Sequence, residues 1–115
     1  MMRGTRSVSW VGAARKGFEA FPQGVRLKLA RALCLVAEGR RPDTARPLDG
    51  SGPGVLELTL HHRGDAFRVV CAVRIGADVW VIHAFQEKSG TGVGTPQAEI
   101  DPVHERPRRL KETLR

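Results

Sequence analysis

The sequence predicts an α+β fold: an antiparallel sheet of an N-terminal strand plus a three-stranded meander, packed on two N-terminal helices and followed by a short C-terminal helix. Three observations carry this. Apolar residues recur at helical spacing between Val11 and Val36. Three runs rich in Val, Leu and Phe follow between Val55 and Phe85. Gly64 and Gly76 separate those runs, where tight hairpin turns need a positive φ. At 115 residues the chain has room for one core, so residues 1–115 read as one domain.

Ser7-Val8-Ser9-Trp10-Val11 alternates polar and apolar side chains, the pattern of a short first strand. Val11, Ala14, Phe18 and Phe21 then fall at helical spacing, in a helix weakened by Gly12 and Gly17. Pro22 suits the first turn of a second helix, where its missing N–H has no intrahelical partner to lose. Val25, Leu29, Leu33 and Val36 form that helix's buried stripe, widened by Ala30, Cys34 and Ala37, and Gly39 is placed to cap its end. Residues 40–54, rich in Pro, Gly and Arg, read as a connector. The three strands are then Val55–His61, Phe67–Val73 and Val79–Phe85.

The turns set a register. With Arg63-Gly64 as the first loop, Leu60 faces Phe67, Leu58 faces Val69 and Leu56 faces Cys71. With Gly76-Ala77 as the second, Val69 faces Ala84, Cys71 faces Ile82 and Val73 faces Trp80. One sheet face is then wholly apolar and belongs under the long helix. The other carries two cross-strand rows, Glu57-Val70-His83 and Thr59-Arg68-Phe85. A slip of one residue would scatter them.

After the third strand come Gln86-Glu87-Lys88-Ser89 and a glycine loop over residues 90–94. That loop looks like a phosphate cradle but matches neither GxxxxGK[ST] nor GxGxxG. Thr95 reads as a helix cap, Pro96 as a first-turn residue and Glu99 as favourable to the helix dipole. Pro102 and Pro107 follow. Proline inside a helix costs about 3 kcal/mol, so the expectation is a turn or two of helix, a break, and a basic tail from about residue 102.

The net charge of +7 points to nucleic acid, an anionic partner or an anionic surface, or else to a well-solvated Arg-rich exterior. Cys34 and Cys71 both lie in apolar runs without CxxC spacing, which argues against zinc and for buried thiols in a reducing cytoplasm. No long apolar stretch follows the basic N-terminus, so neither export nor membrane spanning is expected. With no Tyr, stacking of several bases has little support.

Four side chains could carry chemistry. Arg68 is either a surface charge paired with Glu57 or a phosphate ligand, since its fork suits both. His83 interrupts an apolar strand as either a structural or a catalytic imidazole. Glu57 is a general base or the partner of Arg68. Lys88 is a solvated loop lysine or a phosphate contact.

The order strand, two helices, meander, short helix resembles the RelE/ParE superfamily of type II toxins, and within it the phage-related, HigB-like branch. The residues that carry the resemblance are Trp10-Val11, Phe21-Pro22, Val25-Arg26, Pro47-Leu48-Asp49-Gly50, Val55-Leu56-Glu57-Leu58, Phe67-Arg68-Val69-Val70, Val81-Ile82-His83-Ala84-Phe85-Gln86, Lys88-Ser89, Thr95-Pro96 and Glu99-Ile100. It spans about Ser7 to Lys111. Glu87 stands where the family usually has a second lysine, Cys71 where the middle strand usually has Tyr, and the prolines where the last helix is usually continuous.

The resemblance implies a RelE-like fold and a cytoplasmic mRNA endoribonuclease that inhibits translation, without metal or cofactor. Its partners would be mRNA, free or on the ribosome, and a cognate helix-turn-helix antitoxin. Such enzymes aim the ribose 2′-OH at the adjacent phosphate while cations stabilise the developing charge. Arg68 would be the phosphate clamp and Lys88 a second cation. The residue reading adds His83 as acid or base and Glu57 as its partner or orienter. Arg63, Gln86, Arg106 and Arg108 are candidate RNA contacts. The alternatives are a RelE-fold module that binds an antitoxin or another protein without catalysis, and a ParE-like gyrase inhibitor.

Overall fold

The computed structural model describes residues 5–89 and 95–114. In chain order they form β1 (Val8–Trp10), α1 (Gly12–Glu19), α2 (Gln23–Ala37), β2 (Ala45–Pro47), β3 (Val55–His62), β4 (Asp65–Ala72), β5 (Val79–Glu87) and α3 (Gln97–Thr113). All five strands join one sheet in the order β1-β5-β4-β3-β2. This corrects the all-antiparallel expectation, because β1 pairs with β5 in parallel, Val8 beside Val79 and Trp10 beside Val81. The chain leaves β1 through two helices and returns to its neighbour only as β5, and such a crossover is what a parallel pair requires. The expected connector also contains a strand. Ala45–Pro47 pairs with Leu56–Leu58, and its proline is tolerated because β2 lies at the sheet edge.

One face of the sheet is closed by α1 and α2. Val25, Leu29, Leu33 and Val36, all at most 4% exposed, meet Leu58, Phe67, Val69 and Val81 in the main core. Fully burying one such side chain stabilises by about 1.5–3 kcal/mol, which is why a stripe of four outweighs weak local propensity. The end of α2 is closed as the glycine predicts. Gly39 has φ +85°, its N–H bonds the Val36 carbonyl, and the Arg40 N–H bonds that of Leu35. Gly17 in α1 has a reason that the sequence did not expose: a Cβ there would run into the Ala84 carbonyl oxygen, so α1 can lie this close to β5 only without one.

The first hairpin has the expected register, from Leu56 opposite Cys71 to Leu60 opposite Phe67, around Arg63 (φ +52°) and Gly64 (φ +86°). The second departs from it. Val69 faces Ala84 as expected, but Cys71 faces Val81 rather than Ile82, and Ala72 rather than Val73 faces Trp80. A β-bulge on β5 between Val70 and Cys71 of its partner inserts one residue, which shifts every later side chain by one place. Val79 and Val81 therefore fill the main core. Ile82 and Trp80 turn to the other face, where they pack with Val55, Val70 and Val103. The connection is also longer than a two-residue turn. Arg6 holds it by donating to the carbonyls of Val73, Ala77 and Asp78 at 2.7–3.0 Å.

The helix α3 packs across this second face, against β5. It runs unbroken through Pro102 and Pro107, contrary to the expected break and tail. Each proline removes one hydrogen bond. Buried Val103 and Pro107 and an arginine bond from Arg106 to the sheet offset the loss. Two buried side chains at about 1.5–3 kcal/mol each and a charged hydrogen bond at about 1.5–3 kcal/mol are of the size needed. The helix starts without a side-chain cap: Pro96 is at the cap position, and the Thr95 hydroxyl instead donates to Glu87 Oε2 at 3.1 Å. The glycine loop over residues 90–94 lies outside the described residues. Among the described residues, no helix is long and apolar enough to cross a membrane.

Cys71 is buried, and burial pushes its thiol up to about 12, whereas Cys34 is exposed on α2 rather than buried as expected.

Candidate functional site

The two predicted rows share the sheet face under α3. Glu57 pairs with Val70 and Val70 with His83, while Thr59 pairs with Arg68 and Arg68 with Phe85. The bulge lies just beyond these rows, so it leaves their alignment intact. Arg68 and His83 therefore stand on one side of the sheet, in neighbouring rows.

Arg68 is held by two carboxylates. Its Nη1 donates to Glu57 Oε1 at 2.9 Å and to Thr59 Oγ1 at 3.2 Å, and its Nη2 donates to Glu87 Oε1 at 3.1 Å. Its Nε is buried and has no hydrogen-bond partner among the described residues. The Arg68 fork holds the Glu87 carboxyl below the usual carboxylate range. All three side chains are at most about a quarter exposed, so screening by water is limited.

His83 is gripped from the helix. Its Nε2 lies 2.8 Å from Glu99 Oε1, and its Nδ1 lies 3.2 Å from Arg106 Nη1, which also donates to the Ile82 carbonyl at 2.6 Å. A guanidinium can only donate. Nδ1 must therefore accept, and Nε2 carries the proton that it gives to Glu99. Burial holds the His83 pKa below its ordinary value, against the opposing pull of Glu99, so the ring is neutral at pH 7. It stacks on Phe85 at 5.2 Å between centroids. Burial also lowers the pKa of Arg106.

Between this face, α3 and the turn after β2 lies a cleft of about 220 Å³, with Val70, Phe85 and Val103 as apolar wall and Asp49, Glu57 and Glu99 as carboxylates. Although the chain is basic overall, its cleft is acid-lined. Among the described residues, no group of three or more His, Cys, Asp and Glu is placed to hold a metal ion.

The other candidates are dispersed. Lys88 is exposed at the end of β5, at the same end of the sheet as the Arg63 turn. There Gln86 donates to Asp65 Oδ2 at 2.8 Å, and the Ser89 N–H donates to Oδ1 at 2.9 Å. Those two bonds, Ser89's first, hold the Asp65 carboxyl below its ordinary range. Arg108 is exposed on α3, whereas Arg106 is tied to the sheet and is a structural clamp. Glu57 goes to Arg68 and leaves His83 to Glu99. Glu99, expected to favour the helix dipole and part of the RelE/ParE-like pattern but given no role in the site, is the partner of His83. An acidic residue in the first turn, with an unpaired histidine on the sheet face, was its one signal.

A mixed five-stranded sheet with two helices on one face and a third on the other has the RelE fold. The structure of a double mutant of the E. coli toxin RelE in the free state is similar to it, with a TM-score of 0.65 and 20% identity over 90% of this chain and 98% of that chain. Residues 16–108 match the family described as Phage derived protein Gp49-like (DUF891), and the chain belongs to this phage-derived, RelE/HigB-like toxin family. No curated protein matches it.

Proposed function

We propose that this protein is the toxin of a type II toxin-antitoxin pair, a metal-independent mRNA endoribonuclease that inhibits translation in the cytoplasm and is silenced by a helix-turn-helix antitoxin encoded beside it. The observation that carries the reading is the placement of Arg68 and His83 in adjacent rows of one sheet face, beside a cleft. In this reading Arg68 stabilises the charge that develops on the scissile phosphate as the 2′-OH attacks. Neutral His83 is the proton carrier. Its Nδ1 takes a proton only after Arg106 withdraws, so α3 shifts as RNA enters. Lys88, Arg63 and Arg108 contribute phosphate contacts from the rim.

A second reading, the same fold retained for binding alone, draws on one observation: the Arg68 fork and both imidazole nitrogens are already occupied. Induced expression in bacteria separates the readings. The nuclease reading expects growth arrest with fragmented transcripts, relieved by Arg68→Lys and by the neighbouring antitoxin. Arrest with intact transcripts and damaged DNA points instead to gyrase, and normal growth with intact transcripts to the binding module.

A further inference from the structure

Both carboxylates on Arg68 neutralise it, but they are not equivalent in position. Glu57 is the less exposed, at 15%, and projects from the middle of β3, opposite Val70. Glu87 closes β5, is 25% exposed, and has its other oxygen tied to Thr95 just before α3. One is fixed in the strand ladder, whereas the other stands at the strand's exit, where a small movement would withdraw it. Carboxylate and phosphate compete for the same guanidinium fork. With Nη1 on Glu57 and Nη2 on Glu87, the outer side of the fork is filled.

We infer that Glu87 is a built-in anion that occupies the phosphate position on Arg68, so that RNA must displace it and the free protein is held in a low-affinity state. The inference rests on the nuclease reading for its substrate. Charge counting gives the same direction: Glu57, Arg68 and Glu87 together carry −1, which opposes an incoming phosphate, while Glu57 and Arg68 alone carry zero. Acid does not open the site under ordinary conditions, because the arginine fork keeps Glu87 ionised. Opening therefore comes from a competing anion or from movement of the Thr95 segment that holds the carboxylate's far oxygen.

The experiment measures binding of a short 2′-O-methyl oligoribonucleotide, which cannot be cut by 2′-OH attack, to the wild type, Glu87→Gln, Arg68→Lys and the double variant at several salt concentrations. Glu87→Gln is expected to bind about tenfold tighter at low salt. It should also have a steeper salt dependence, by about 0.7 in the slope of log K against log salt, the value for one extra phosphate contact on a single strand. In the Arg68→Lys background the gain should shrink to a small fraction, because the lysine lacks the fork. Equal affinity and slope for wild type and Glu87→Gln overturn the inference, as does a gain that persists in full in the double variant. Cleavage of an ordinary RNA is scored separately. Tighter binding without cutting by any variant keeps the inference and removes the nuclease, whereas Arg68-dependent cutting by a wild type that Glu87→Gln does not improve in binding does the reverse.

Discussion

His83 Nε2 lies 2.8 Å from Glu99 Oε1, and this one contact joins the bulged strand β5 to the first turn of α3. The histidine's pKa is lowered in the fold, chiefly by burial. The unfolded chain, with a histidine near pH 6.5, then binds more protons than the folded one as the solution is acidified. Stability is fully present above about pH 6.5 and is lost as pH falls through the folded value. Urea unfolding between pH 7.5 and 5 should show this decline in the wild type and a flatter profile in His83→Gln. A wild-type profile as flat as the variant's would contradict the neutral ring.

Arg68→Ala leaves Glu57 and Glu87 facing each other with no cation between them. Loss of a largely buried charged partner costs about 2 kcal/mol or more. The variant should therefore melt earlier as well as lose any RNA cutting. Thermal unfolding must accompany every activity assay of it, and an unchanged Tm would mean that the ion cluster contributes nothing to stability.

Gly17 and Gly24 offer opposite outcomes for the same substitution. Helix propensity favours alanine at both. At Gly24 nothing lies within 4 Å of the added methyl group, and about 0.5 kcal/mol of stabilisation is expected. At Gly17 the methyl meets the backbone of Ala84, which cannot move without disturbing β5. Gly17→Ala should destabilise by about 1–3 kcal/mol, the range of overpacked cores. Denaturation midpoints of the two variants on either side of the wild type would bear this out, and a stabilised Gly17→Ala would refute the close approach.

Pro102 and Pro107 sit inside a helix that the fold keeps helical. Pro102→Ala restores a backbone donor without requiring a new conformation, so α3 should gain about 1 kcal/mol after the unfolded chain's added freedom is subtracted. Slower amide exchange in α3 is the readout. Exchange that quickens would mean that the proline ring, rather than the backbone, holds the helix in place.

Much of the sheet was legible because alternation and turn chemistry act locally. Leu56 to Leu60 find Cys71 to Phe67 through one two-residue turn. The bulge at β5 was not legible, since Ile82 continues the apolar run Val79-Trp80-Val81 and nothing in the sequence marks which of these is the extra residue. Arg68, its partner Glu57 and His83 could be placed on one face by strand register, whereas the partners of His83 could not. Glu57 was within reach of a strand register, but Glu99 and Arg106 arrive from a helix whose docking depends on packing distant in sequence. The two prolines argued against that helix locally and were overruled by Val103 in the second core and by the Arg106 bond to the sheet.

The sheet ends on both sides in strands of three residues, β1 and β2, and the second carries Pro47. Such short borders give a stranger's backbone almost nothing to zip onto. A protein that must persist at high concentration without sticking to its own copies gains from this trimming. A lengthened β2, with Pro47→Val, should be more prone to self-association on warming.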